Sequence, residues 1–409
     1  MGMQNLLQIL KKKEVLALCA TVFMADVVMG IVWPTFSLYA TSLGASLTLI
    51  GALSAVVGLT RILSSVPIGM FSDTVGRKNI LSAGTLFFAA SSFLYTVVPN
   101  PYFLLPIQIL AGWAMISTFF MGMAYLGDIV ASHERGLAIG LYTSSLGLGF
   151  ATGPLIGGTV AATYGYRASY RVAAVVALLG FVIARRGLVG SSTSQGSTIT
   201  RQEPANPRGL PLPARLRSMM EPNLLAASVA NLLMSVVFSG AITNFFPLYA
   251  ASLSVGEATI GSMFSIRALV STLVRVPTGL LATKFSGRSL MVISLALVTI
   301  VVVSVSYTTD PVALAALLTV EGITWGMFLT SGQSFVTQHA SNSDRGTAIG
   351  IWSTAGSVGA TAGPFILGLI ADGWGIATVF RATGAMVSIG VALLWYMSLR
   401  QHRVPVPEV

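Results

Sequence analysis

The sequence predicts an all-α integral membrane protein with twelve transmembrane helices in two pseudo-symmetric six-helix bundles and with both termini in the cytosol. Of the 409 residues, 54% are hydrophobic and only 9% are charged, whereas a typical soluble domain is about 25% charged. The apolar residues form twelve segments, most of them near the roughly 20 residues that a membrane-spanning helix needs. The two halves of the chain also repeat each other at a constant offset, which predicts two bundles of one design.

Charged residues, prolines and loop signals set the limits of the twelve segments. Several are longer than about 20 residues, which allows tilt or ends that protrude into water. The segments lie near 15–40, 48–70, 79–98, 102–126, 136–160, 168–185, 222–250, 258–281, 289–308, 312–336, 346–371 and 377–399.

The basic residues predict the orientation. With the N-terminus inside, seventeen of the 23 Lys and Arg residues fall in cytosolic segments, as the positive-inside rule requires. Topology therefore explains the net charge of +10 without a nucleic acid partner. The three histidines have no ligand-like spacing and Cys19 is the single cysteine, so we expect neither a metal site nor a cofactor.

An internal repeat organises the chain. Residues recur at an offset of 210: RGLAIG at 135–140 returns as RGTAIG at 345–350, and Gly149, Gly153 and Pro154 return as Gly359, Gly363 and Pro364. An even number of spans per copy makes the repeat parallel, the arrangement in which a substrate site lies between the halves. We predict a bundle at 1–186, a flexible cytosolic linker at 187–220 and a bundle at 221–409. LPARLRSMM, in the linker, is alternatively a short amphipathic helix on the membrane surface.

Two motifs stand out. GMFSDTVGRK at 69–78 joins spans 2 and 3, and GLYTSSLGLGFATGPLIGG at 140–158 fills span 5. The first motif carries Gly69, Asp73, Gly76, Arg77 and Lys78, and the second carries Gly140, Gly149, Gly153, Pro154, Gly157 and Gly158. With these residues the chain resembles the major facilitator superfamily over nearly its whole length, and the span 5 motif resembles that of its twelve-span drug:proton antiporters.

The resemblance implies the fold of that superfamily and a latch on its cytosolic side. Asp73 would cap the start of span 11, where a carboxylate suits a helix N-terminus, and Arg77 would pair with Asp128 at the end of span 4. Arg135, at the start of span 5, is a further gating candidate. The second copy has Thr283 in place of Asp73, so the latch is predicted to be one-sided. The alternative is a plain turn with positive-inside charges.

The glycines of span 5 predict a close helix contact. Gly149, Gly153 and Gly157 recur every four residues and share one face, where missing side chains let backbones approach. We expect this face to lie against a helix of the other bundle, so that spans 5 and 11 form a sliding seam, with Pro154 permitting a bend. The alternative is ordinary membrane helix packing.

Five ionisable residues fall within spans, namely Asp26, Arg61, Arg267, Arg275 and Glu321. A charge there costs about 2.5–3.5 kcal/mol even on the lenient scale. Asp26 and Glu321 lie near mid-membrane in spans 1 and 10. The resemblance implies that spans 1, 4, 7 and 10 line the central cavity. Either acid is a candidate proton-coupling site, with Arg61 and Arg267 as candidate participants. The alternative is structural ion pairs, Glu321 with Arg267 or Asp26 with Arg61. Arg275 is expected to be interfacial.

One departure concerns span 4. The antiporter branch has an Arg four residues before a Gly, whereas here Gln108 precedes Gly112, which leaves the usual proton route incomplete. Arg61 is a candidate substitute. Polar and aromatic residues of the spans are candidates for the substrate cavity, with packing as the alternative for each: Trp33, Gln108, Trp113, Tyr142, Asn244, Phe245, Trp325, Gln333 and Trp352.

Taken together, these features predict a secondary transporter of the cytoplasmic membrane that exports small amphipathic compounds by alternating access, driven by the proton gradient. The alternative is an importer, symporter or uniporter of a sugar, an organic anion or another metabolite. An enzyme or a sensor is not expected, because the sequence lacks a nucleotide loop and a sizeable soluble domain. The expected partners are a small-molecule substrate and the lipid bilayer, with a monomer as the default.

Overall fold

Twelve long helices make up the part of the chain that the computed structural model describes, residues 9, 12–131, 134–190, 221–282, 284–339 and 345–401, with side chains to residue 392. Their limits agree with the predicted spans within five residues. The helices are α1 Lys13–Ser42, α2 Leu47–Val75, α3 Arg77–Tyr95, α4 Pro101–Ile129, α5 Arg135–Tyr164, α6 Tyr166–Gly187, α7 Pro222–Ser252, α8 Glu257–Leu281, α9 Gly287–Val305, α10 Pro311–His339, α11 Arg345–Trp374 and α12 Ile376–Gln401.

Ten of these twelve helices are long and apolar enough to cross a membrane within the described residues. The other two are α3, which begins with three polar residues, and α12, whose described apolar stretch is Ile376–Ala392. Both pack as the others do, α3 against α4 and α6, and α12 against α9 and α11. The predicted linker lies largely outside the described residues, as does the amphipathic helix proposed for it.

The internal repeat is visible in the backbone. Gly165 and Gly375, at the predicted offset, turn the chain between successive helices with φ of 83° and 84°, values that suit glycine because it lacks a Cβ. Side-chain packing repeats as well: Tyr39 meets Tyr170 edge-on at 5.0 Å between ring centroids, and the equivalent Tyr249 meets Phe380 at 5.4 Å.

The two halves meet along two helix pairs, α2 with α11 and α5 with α8. We call the end of the bundle where α2 meets α3 the basic end, since Lys12, Arg77, Lys78, Arg185 and Arg186 lie there, and the opposite end the distal end. The basic end is the one predicted to be cytosolic. One apolar cluster joins both halves through residues such as Phe36 and Phe246, whereas two smaller clusters lie within the first half alone.

Candidate functional site

A central cavity of about 430 Å³ lies between the two halves, within the range of roughly 300–1,000 Å³ typical of small-molecule sites. It is lined by α1, α4, α7 and α10, as the resemblance implied, and also by α2, α3 and α11. Six of the predicted cavity residues line it: Trp33, Gln108, Asn244, Trp325, Gln333 and Trp352.

The cavity wall combines aromatic rings with small polar groups. Phe238 of α7 stacks on Trp325 with 4.3 Å between ring centroids and approaches Trp33 of the first half at 6.1 Å. Serine hydroxyls from both halves lie among the rings, including Ser91 and Ser357. The rings provide apolar contact area for a ligand, and the hydroxyls can orient it through hydrogen bonds. This combination suits an amphipathic ligand.

A π-helical stretch in α7, Val236–Phe245, determines which residues of this helix reach the cavity. Thr243 and Asn244 donate side-chain hydrogen bonds to carbonyls five residues earlier, at 2.8 and 2.5 Å, which satisfies carbonyls within the widened turns. Asn244 also accepts a hydrogen bond of 2.6 Å from Ser54 of α2. The two halves are thus linked at the cavity wall. Such π segments are frequent at functional sites.

Two buried charges of the second half form an ion pair. Glu321 and Arg267 are 0% and 1% exposed, and the guanidinium donates from Nε to Oε2 and from Nη2 to Oε1. The guanidinium also lies 4.8 Å from the ring centroid of Phe238, a favourable cation–π geometry. Of the two expectations for Glu321, the structure therefore shows the structural ion pair with Arg267. Arg267 is not among the residues that line the cavity.

The arginine whose charge acts on Asp26 is not the one expected. Its carboxylate is influenced by the positive charge of Arg275 of α8, in the other half, although the two side chains form no ion pair among the described residues. The predicted alternative of a pair with Arg61 is wrong, because Arg61 forms no ion pair within the described residues. Arg275 was expected to be interfacial, yet its Nε is buried and has no hydrogen-bond partner within the described part of the chain. The charge that acts on Asp26 thus comes from the other half, from α8 onto α1.

Arg61 lines the cavity from the middle of α2. It lies fourteen residues from each end of this 29-residue helix, Leu47 to Val75, and so near mid-membrane. It is the one charged side chain among the described residues that line the cavity.

The span 5 glycines contact a helix that was not predicted. A Cβ added at Gly153 would collide with the carbonyl oxygen of Val27, and one at Gly157 would lie 2.8 Å from the Cα of Ile31. Both partners belong to α1, in the same half. The expectation that this face meets the other bundle is therefore wrong, because three glycines in register let α1 and α5 pack at backbone distance. Gly149 in α5, and Gly359 and Gly363 in α11, contact their own halves in the same way.

Comparison with known proteins shows the family. The model of the Major Facilitator Superfamily matches residues 18–252 and 228–408. The chain belongs to this superfamily. It is therefore a multi-pass membrane transporter and not an enzyme. Similar proteins include an uncharacterized MFS-type transporter of Methanocaldococcus jannaschii, 24% identical with 95% of this chain and 99% of the relative covered. The multidrug resistance protein MdtG of Dickeya zeae is 25% identical, with 93% and 92% covered.

Solved structures of the superfamily share the fold at low identity. The nucleoside transporter NupG superposes with a TM-score of 0.77 at 15% identity, covering 94% of this chain and 99% of its own. A bacterial homolog of the human lysosomal transporter Spinster, in an inward-facing and occupied conformation, gives a TM-score of 0.80 at 14% identity, covering 96% and 98%.

Helices α5 and α11 do lie at the interface between the two halves of this superfamily member. They contact the other half through other faces than the one predicted. A Cβ at Gly158 would collide with the carbonyl oxygen of Glu257 in α8, and one at Gly368 would lie 2.7 Å from that of Leu47 in α2. Nearer the basic end, a Cβ at Gly140 of α5 or at Gly279 of α8 would meet no atom within 4 Å, so these two positions make no such contact. The halves are therefore in backbone contact distally, and the described glycines Gly140 and Gly279 nearer the basic end have open space beside them.

Polar contacts close the distal end. The Asp372 carboxylate, two residues before the end of α11, accepts hydrogen bonds from the backbone N–H groups of Leu47 at 3.0 Å and Thr48 at 2.8 Å, at the start of α2. Tyr166 of α6 donates a hydrogen bond of 2.8 Å to Glu257 of α8. Both contacts join the two halves.

At the basic end, the predicted pair of Arg77 and Asp128 is present, with 2.7 Å between Nη1 and Oδ1. Gly76 adopts a positive φ of 91°. Glycine adopts such an angle readily because it lacks a Cβ, which explains why the motif has a glycine here. Asp73 and Arg135 are exposed there. The capping of α11 by Asp73 stays a prediction, since residues 340–344 before that helix lie outside the described part.

Three predicted cavity residues lie elsewhere. Trp113 points away on α4 and donates to the Ser64 hydroxyl at 2.9 Å. Tyr142 is buried within the first half and donates to the Phe119 carbonyl at 2.8 Å. Phe245 is fully buried in the large apolar cluster. Their placement in the cavity was wrong because residue type does not reveal which helix face looks inward.

Several lining residues were missed. Asn231 lines the cavity and donates to the Trp352 carbonyl at 2.7 Å; its signal was the same as that of Asn244, an amide inside an apolar span. Phe238 and the α3 serines, including Ser91, carried no signal that separates them from ordinary packing residues.

Proposed function

We propose that this transporter exports small amphipathic compounds from the cytosol by alternating access, in exchange for protons. The observation that carries the proposal is the cavity between two halves that contact each other at the distal end and have open space at Gly140 and Gly279 nearer the basic end. With the basic end in the cytosol, this arrangement corresponds to the inward-facing state, in which a cytosolic compound enters.

Asp26 is the proposed proton-coupling residue. Its carboxylate lies on α1 beside the α5 backbone, where a Cβ added at Gly149 would come within 3.0 Å of the Asp26 Cβ, and it interacts across the seam with Arg275. Movement of the halves changes the distance between these two charges, so the proton occupancy of Asp26 depends on the conformation. Glu321 has no such dependence, because its partner Arg267 belongs to the same half.

The direction of transport is supported by the multidrug resistance proteins among the relatives. Import of an organic anion is the second candidate, favoured by the cationic Arg61 in the cavity wall.

The test uses purified protein in liposomes with an acidic lumen that contains a pH-sensitive dye. Cationic, neutral and anionic compounds are added outside in turn. Exchange of compound for protons raises the lumenal pH, whichever way the protein is inserted, whereas symport lowers it. We expect a rise with at least one compound, and its loss in Asp26→Asn.

Protein-free liposomes control for compounds that cross the bilayer unaided. Asp310→Asn is the matched protein control, since Asp310 caps the start of α10 within its own half, with 2.8 Å from Oδ2 to the Ala313 nitrogen. A fall in lumenal pH contradicts export, and transport without any proton movement contradicts coupling. An unchanged response in Asp26→Asn excludes that residue.

A further inference from the structure

Four of the five charged residues within the spans can be matched to a residue of opposite charge, and one cation cannot. Glu321 neutralises Arg267 within the second half. Asp26 interacts with Arg275 across the seam. Arg61 has no ion pair within the described residues. A cation in a membrane interior needs a counter-charge or water to offset its desolvation.

The position of Arg61 decides where that counter-charge can come from. The residue is at the midpoint of α2 and lines the cavity, so a molecule in the cavity can reach it. The other polar groups of the lining, such as Gln333 and Ser357, are uncharged. An anion entering the cavity therefore meets a cation and neutral donors, and no carboxylate among the described lining residues repels it.

The apolar part of the ligand is accommodated by the same wall. Trp33, Phe238 and Trp325 form a continuous aromatic surface across the two halves. A guanidinium binds sulfonate, phosphonate or carboxylate groups through paired hydrogen bonds, while the rings stack against an aromatic body.

We propose that Arg61 binds the acidic group of the transported compound, and that the cavity selects aromatic or otherwise amphipathic organic anions over cations. This inference rests on the proposed transport function and deepens it by naming the substrate class. It holds for export and for import, because it concerns the ligand and not the direction.

The experiment compares three probes with one ring system and different charges: 1-naphthalenesulfonate, 1-naphthylmethanol and 1-naphthylmethylammonium. Binding to the purified protein in detergent is measured by isothermal titration calorimetry. We expect the sulfonate to bind most tightly and the ammonium compound most weakly. Arg61→Gln should weaken sulfonate binding by roughly 10- to 100-fold, the range for loss of a hydrogen-bonded charge contact, with little change for the alcohol.

Arg61→Lys keeps the charge and loses the paired geometry, so it should bind the sulfonate with intermediate affinity. Arg171→Gln, exposed on α6 outside the cavity lining, is the matched control and should bind all probes as the wild type does. If Arg61→Gln fails to fold, the order in which the wild type binds the three probes still tests the proposed anion site.

Equal binding of the three probes to the wild type, tighter binding of the ammonium compound, or unchanged sulfonate affinity in Arg61→Gln overturns the anion site. Liposome flux of each probe separates this failure from that of the parent proposal. A protein that moves the neutral or cationic probe without binding the sulfonate remains a transporter with a different specificity, whereas a protein that moves none contradicts both.

Discussion

Asp372 provides the sharpest test of the distal contact between the halves. Its carboxylate accepts two backbone hydrogen bonds from the start of α2, at 3.0 and 2.8 Å. Replacing a helix cap with alanine costs about 1 kcal/mol, and an anion at a helix N-terminus contributes about 0.3–1 kcal/mol more. Because the carboxylate is exposed, hydrogen bonds to water replace part of this stabilisation when the distal ends separate. We therefore expect Asp372→Ala to disfavour the observed state by about 1–2 kcal/mol, a factor of roughly 5–30 in the conformational equilibrium.

The assay is a distance distribution between spin labels at the basic ends of α2 and α11. Phe71 and Ile349 are exposed there, at 63% and 37%, and can be replaced with cysteine after the buried Cys19 is changed to serine. In Asp372→Ala the population with a short distance between labels should grow at the expense of the long one. High salt should reduce the difference between the two proteins, since it screens the charge.

Asp310→Ala is the matched control. It removes an exposed carboxylate cap of the same kind at the same end, but that cap acts within the second half. Identical distributions in Asp372→Ala and the wild type would refute the reasoning, as would an equal shift in Asp310→Ala.

Three further outcomes are expected. Glu321→Gln leaves a buried guanidinium without its counter-ion and should lower the free energy of unfolding by about 3–5 kcal/mol; an unchanged thermal melting curve in detergent contradicts this. Gly158→Ala inserts a Cβ against the α8 backbone and should enrich the state with separated distal ends in the same spin-label assay, whereas Gly140→Ala has open space around the added Cβ and should be tolerated. Asp73→Asn should impair liposome transport far more than Thr283→Ala, and equal effects count against a one-sided latch.

Much of the fold could be predicted because lipid imposes a simple rule on sequence. Hydrocarbon excludes unpaired backbone groups, so apolar segments become helices, and their limits follow from charges and prolines. The repeat was visible in residues such as Gly153 and Gly363, whose missing side chains a close backbone contact requires in each half. The pair of Arg77 and Asp128 was available only through the resemblance, since the sequence alone places these residues in separate helices.

The cavity was harder to predict, because its wall depends on how each helix is rotated. An ideal helical wheel fails in α7, where the π-helical stretch changes the turn just at Phe238 and Asn244. The partner of Asp26 comes from the other half, so it depends on how two separately folded bundles meet. The predicted partner of the span 5 glycines was wrong for the same reason. The glycine spacing predicts a close helix contact, but it does not reveal which helix lies on the other side.

The backbone contact of α1 with α5 has a consequence for biosynthesis. Gly30 and Gly153 lie against each other, although 123 positions separate them in the chain. Ribosomes add about 5–20 residues per second, so α1 leaves the ribosome some 6–25 s before this partner follows. During that interval the first helix is held in lipid, or by the insertion machinery, with its Asp26 still lacking an arginine that is synthesised even later. Each half can therefore complete its closest backbone contact, α1 with α5 or α7 with α11, only after its fifth helix has been synthesised.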